Sequence, residues 1–153
     1  MRLLLLSFLL LLSTTGLKAQ ESQLQKLDKA IDNVKKGIAS FYHDKFEGRR
    51  TATGDIFDND KFTAASNKLK LGSYVKVTNI SNGEVVYVKI NDRMAQSNTR
   101  LIDLASVAAK KLDFHNKGVT KVKVEVVPAD EGKIGILAQN QIEGTTAAPK
   151  NEL

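Results

Sequence analysis

The stretch 71–92, LGSYVKVTNISNGEVVYVKIND, alternates apolar and polar side chains on both sides of an Asn-Gly pair. Val75, Val77 and Ile80 precede Asn82-Gly83, and Val86, Val88 and Ile90 follow it. A period of two puts each apolar set on one face of a strand, and Asn-Gly accepts the positive φ that a tight reversal needs. Two strands joined through a turn are predicted. A lone hairpin is marginal in water, so these strands require others to cover their apolar face.

Further strands are available. Gly37 is followed by Ile38-Ala39-Ser40-Phe41-Tyr42, a predicted first strand, and VTKVKVEVVP alternates Val122, Val124 and Val126 with charge before Pro128. Between them IDLASVAAKKLDF predicts a short helix, capped by Asp103 or Ser106, that turns Val107, Ala108 and Leu112 inward. Parallel βαβ units need longer helices between the strands, so a small barrel closed on itself is the favoured architecture. Residues 133–137 predict a last short strand, and the Thr, Ala, Pro and Asn residues beyond predict an unstructured tail.

The N-terminus predicts export. Arg2 precedes the apolar run Leu3 to Leu12, then small and polar residues, the pattern of a signal peptide over 1–19 cut near Ala19-Gln20. The run is too short to span a bilayer comfortably, so no stable membrane span is expected after cleavage, and the expected location is periplasmic or extracellular at the cell envelope. Residues 20–36 then place Leu24, Leu27, Ile31 and Val34 three and four apart, an amphipathic helix or linker that Gly37 can end. That stripe packs on its own domain or recruits an envelope protein. The expected organisation is one domain over 37–128 and a short extension over 129–153, with too little chain there for a second domain.

Charge and ligating residues narrow the partners. Losing Arg2 and Lys18 with the leader leaves 21 basic against 17 acidic side chains, a modest net charge of +4. Lysines alternate with acids and aromatics are few, which argues against nucleic acid. With no Cys and only His43 and His115, neither a disulfide scaffold nor a metal site is expected, and no cofactor motif is present. The candidate chemistry rests on acids just outside apolar strands: Asp92 after VVYVKIN, Asp55 in TATGD, and Asp103 after Leu101-Ile102. Such acids serve either as salt-bridged turn formers or as the carboxylates of glycoside chemistry.

The runs GIASFYHDKFEGRRTATGDIFDNDKFTAAS, LKLGSYVKVTNISNGEVVYVKINDR, TRLIDLASVAAKKLDF and GVTKVKVEVV occur in one order and spacing. Together they resemble the domain of the rare lipoprotein A family, related in fold to expansins. The resemblance implies a mainly β fold, a six-stranded double-psi beta-barrel with short helices, acting on peptidoglycan glycan strands. It also implies an endolytic transglycosylase that cleaves bonds between N-acetylmuramic acid and N-acetylglucosamine, in strands without stem peptides, to 1,6-anhydro ends. By position it makes Asp92 the catalytic acid and Asp55 the second acidic residue, with Ser66 and Arg93 at the substrate; Tyr42 and Phe46 are the aromatic candidates for holding sugar in a glycan-binding module. The family's TAAH is TAAS here, so a histidine becomes Ser66, and its NDRGP becomes Asn91-Asp92-Arg93-Met94-Ala95. Serine cannot exchange a proton near neutrality as histidine does, and His43 in YHDKF is the nearest substitute. Two alternatives therefore stand beside the enzyme: a non-catalytic glycan-binding module, and an envelope interaction protein using the 21–36 stripe.

Overall fold

The computed structural model describes residues 16–28 and 33–146, with side chains to residue 142. The chain divides into two compact units, one ending at Val34 and a second from Lys35 onward. In the first unit residues 16–28 form helix α1, with Leu24 and Leu27 exposed. The remainder of the expected signal peptide, and Ile31, lie outside the described residues. Among the described residues no helix is long and apolar enough to cross a membrane.

The second unit is built on a closed barrel of six strands in the order β1-β5-β2-β4-β3-β6. The strands are β1 Val34–Phe41, β2 Thr63–Ala65, β3 Tyr74–Asn79, β4 Val85–Asp92, β5 Ile102–Leu104 and β6 Thr120–Val127. The predicted hairpin forms, with Val75 opposite Val88 and Val77 opposite Val86. β6 adds Val126 and Val124 across from Val75 and Val77. The alternation works as expected, since Val75, Val77, Val86, Val88, Ile90, Val122 and Val124 are all fully buried.

Four expectations change. Val34 and Gly37 belong to β1, not to the end of a helix, and a Cβ at Gly37 would lie 2.7 Å from Leu101 Cβ. Gly37 is thus demanded by close packing, not by a helix terminus. Ile80, assigned to a strand by its apolar character, sits 51% exposed in the turn. The inward position there belongs to Asn79, whose Nδ2 donates to Leu112 O at 2.8 Å and whose Oδ1 accepts from Ser81 N and Thr120 Oγ1. A buried amide is tolerated at that barrel end because its polar atoms are paired.

Helix α2, Ser106–Lys111, has neither expected cap: Asp103 lies in β5, and the N-cap is Ala105, which makes no side-chain bond. Asn59 caps it from a distant loop, with Oδ1 accepting Ser106 N at 2.8 Å and its carbonyl accepting Val107 N at 3.1 Å. Finally, residues 133–137 are not a strand. They belong to α3, Ala129–Thr146, so the expected unstructured extension is helical that far, and 147–153 lie outside the described residues. Asp130 and Glu131 favour a helix start after Pro128, while Gly132 and Gly135, which weaken a helix signal, are needed for contact. A Cβ at Gly132 would meet Tyr74 Cβ at 2.3 Å, and one at Gly135 would meet Tyr87 Cγ at 2.5 Å.

Candidate active site

A groove of about 450 Å³ opens where β1, β4 and β5 end. Strand register explains what lines it. Ala65 of β2 stands opposite Asp92 of β4 on one side and Asp103 of β5 on the other, so the two acids sit two strands apart, roughly 10 Å from backbone to backbone. Tyr42 follows β1 into the same groove, anchored by its N–H on Leu104 O at 2.9 Å.

Asp92 is half-buried and its carboxylate is asymmetric. Oδ1 accepts two backbone N–H groups, from Ala52 and Arg93, each at 2.8 Å. Oδ2 accepts the Tyr42 hydroxyl at 2.7 Å. A carboxylate oxygen has about two acceptor positions, so Oδ1 is filled and Oδ2 keeps one open. The open position is the one a substrate can use.

The TATGD loop explains the Ala52 donor. Gly54 N–H closes a turn on Thr51 O, Thr51 N–H bonds Asp55 O, and Thr53 N–H bonds Asn91 O, which docks the loop beside the end of β4. Asp55 itself is exposed, accepts the Thr53 hydroxyl at 2.9 Å, and does not line the groove. Its carboxylate is engaged in a turn-holding contact.

Ser66 also leaves the groove. It is fully buried, its Oγ donates to Leu101 O at 2.8 Å and accepts Lys68 N–H at 3.1 Å, and its N–H bonds Asp92 O. A hydroxyl in that position holds β2 to its neighbours and has no surface to offer a glycan. Arg93 lines the groove, but its Nη1 donates to the carbonyls of Ser66 and Leu69, so part of the guanidinium fastens the 66–69 segment.

Tyr42 and Phe46 both line the groove. The Tyr42 ring packs on Phe57 at 4.3 Å and edge-on to Phe46 at 5.8 Å. Lys45 Nζ and the Arg49 guanidinium approach the Phe46 ring at 5.3 and 5.2 Å. Burial, with the Asp92 hydrogen bond and the charges of Asp92 and Asp103 adding to it, pushes the Tyr42 phenol far above its usual range. His43 is exposed at the rim, where its Nδ1 accepts Lys45 N–H and caps the 3-10 turn Asp44–Phe46. EGRR is a structural corner: Glu47 accepts Asn59 N–H, and Arg49 and Phe57 pair through their backbones.

Asp103, which the sequence offered both as a candidate acid and as a helix cap, lines the groove. It accepts from Ser40 Oγ, from Arg100 Nε at 3.0 Å and Nη2 at 3.2 Å, and from Asn98 Nδ2 at 3.2 Å. Those four donors fill its acceptor positions, and the pairing raises the proton affinity of Arg100. The i, i+3 spacing of Arg100 and Asp103 was a visible signal for an ion pair, but the Ser40 partner, 63 residues away, was not. Among the described residues no group of three or more His, Asp or Glu stands ready for a metal ion.

Residues 34–124 match a family model described as lytic transglycolase. The chain is 41% identical over 114 residues to the endolytic peptidoglycan transglycosylase RlpA of Haemophilus influenzae, covering 74% of this chain and 40% of that protein. Over 120 residues it is 42% identical to the protein of the same name from Pseudomonas aeruginosa, covering 74% of this chain and 35% of that one. It thus spans about two-fifths of the length of such curated relatives. Among solved structures, the apo expansin of Clavibacter michiganensis superposes with a TM-score of 0.51 at 21% identity, over 63% of this chain and 51% of that chain, a likeness of fold.

Proposed function

The chain belongs to the rare lipoprotein A family of double-psi beta-barrel proteins, and we propose that it is an endolytic transglycosylase of peptidoglycan, with Asp92 as its acid and base. The observation that carries this reading is the Asp92 carboxylate, fixed through Oδ1 and open at Oδ2 toward a groove wide enough for sugar rings. Asp92 Oδ2 gives its proton to the oxygen linking N-acetylmuramic acid to N-acetylglucosamine, and the bond from muramyl C1 to that oxygen breaks. The muramyl C6 hydroxyl attacks C1 and returns its proton to Oδ2. Water does not enter, the product carries a 1,6-anhydro end, and the carboxylic acid is restored. Peptide-free strands fit as substrates because no stem peptide then has to pass the Arg93 and Lys45 rim. The apolar run after Arg2 supports export to the envelope, where such a polymer lies.

Ser66 favours a second reading. A buried hydroxyl that cannot titrate stands in the position of the family histidine, as it would in a glycan-binding module that performs no cleavage. One experiment separates the two. Purified protein is incubated with stem-peptide-free glycan strands, and the products are analysed by mass spectrometry beside Asp92→Asn. Anhydro-muramyl ends that vanish in the variant uphold the enzyme, whereas retained pulldown on the strands with no product favours the module.

A further inference from the structure

A tyrosine beside a groove that takes glycan ordinarily offers a ring face on which a sugar stacks, the role that a glycan-binding module would give Tyr42. The surroundings of the ring oppose it. Phe57 lies tilted against Tyr42 at 4.3 Å and Phe46 meets it edge-on at 5.8 Å, so the ring is built into an aromatic cluster. What Tyr42 presents to the groove is its hydroxyl, and that hydroxyl is bound to Asp92 Oδ2 at 2.7 Å. Among the described residues no other group bonds that oxygen, while Oδ1 is held by Ala52 and Arg93 N–H groups.

We propose that Tyr42 is a positioning residue for Asp92: its hydroxyl fixes Oδ2 at the open side of the groove and follows the proton that this oxygen gives and takes. The proposal rests on Asp92 being the reacting group. A phenol suits the task because it donates to the ionised carboxylate and, after rotating, accepts from the protonated one. It must not ionise itself, since a phenolate beside Asp92 would compete for the proton. The half-buried ring and the neighbouring carboxylates of Asp92 and Asp103 hold it neutral. The other charged or titratable groups facing the groove are Arg93, Arg100, Lys45 and His43; Arg93 and Arg100 are tied to backbone and to Asp103 respectively, and His43 to the Lys45 N–H. None of these four bonds Oδ2.

Tyr42→Phe keeps the ring on Phe57 and removes only the hydroxyl, so the fold is expected to survive. In anhydro-product assays with peptide-free glycan strands, kcat falls by about tenfold or more while KM stays within about twofold, because a hydrogen bond to a charged group is lost and no sugar contact is. A raised KM with unchanged kcat makes Tyr42 a sugar contact and overturns the proposal. A second measurement needs no turnover. The Tyr42 Cζ chemical shift is compared by NMR at neutral pH in the wild type and in Asp92→Ala, where loss of the hydrogen bond to the carboxylate is expected to move it. An unchanged shift means that the two side chains do not meet in solution, which also overturns the proposal. If the wild type yields no product, the transglycosylase reading fails by itself, and the Cζ shift decides whether the Tyr42 contact on Asp92 stands.

Discussion

Ser66 and Asp55 stand where the family resemblance puts two residues of the site, yet their side chains make structural bonds here. Ser66 bonds Leu101 O and Lys68 N–H from a fully buried position, so Ser66→Ala leaves those groups without a partner and is expected to destabilise the protein by about 1–3 kcal/mol, measured by urea denaturation. Activity per folded molecule should change little. Asp55 accepts Thr53 Oγ1 in an exposed turn, so Asp55→Asn should lower product formation by less than about tenfold, against about a hundredfold or more for Asp92→Asn. Equal losses in the two variants would place Asp55 at the substrate after all. Sequence pointed to Asp92 because an acid ending an apolar strand is conspicuous. It did not reveal that Ala52 N–H and the Tyr42 hydroxyl converge on that acid, since 40 and 50 residues separate them from it.

At the scale of elements, the two α-helices of the barrel unit are each held by a side-chain amide. Asn59 completes α2, a six-residue helix too short to be stable alone, and Asn59→Ala should cost about 1–2 kcal/mol in denaturation, with Asn59→Asp giving little rescue because its carboxylate would face the Asp44 carboxylate that now accepts Asn59 Nδ2 at 2.7 Å. Gln139 does the corresponding work for α3: Oε1 accepts Tyr87 N–H at 2.6 Å and Nε2 donates to Tyr87 O at 3.0 Å. That amide takes the place of a neighbouring strand on β4, where the three-residue β2 is too short to reach. The glycines before it in α3 make the approach possible. Gly135→Ala puts a methyl group within van der Waals overlap of the Tyr87 ring, and a loss of about 1–3 kcal/mol is expected as the helix shifts outward. Local pattern identified the strands of the β3–β4 hairpin because partners lie close in sequence. It predicted a strand over 133–137 where α3 forms, since Gly132 and Gly135 weaken a local helix signal and their purpose is set by tyrosines on other strands.

At the scale of the molecule, the strand order β1-β5-β2-β4-β3-β6 joins segments that are far apart in the chain, and only the family resemblance anticipated a barrel of this kind. Periodicity revealed that strands exist and which face is apolar, but parallel pairing of Ala39 with Ile102 depends on closure of the whole barrel. The site inherits that nonlocality, since Tyr42, Asp92 and Asp103 meet because β1, β4 and β5 end at the same place. α3 lies beyond the matched stretch 34–124 and yet covers β3 and β4 through Tyr74 and Tyr87. A chain ending at Pro128 would uncover those rings and leave the Tyr87 N–H and carbonyl to water. Two hydrogen bonds at about 1 kcal/mol each and the lost apolar contact amount to about 3 kcal/mol, so Tm should fall by roughly 10 °C or more in a thermal melt. Because Asp92 ends the strand that Gln139 clamps, the same truncation should loosen the site, and product formation should fall at temperatures well below the new Tm. A truncated chain with unchanged Tm and turnover would make α3 an accessory to a barrel that is complete without it.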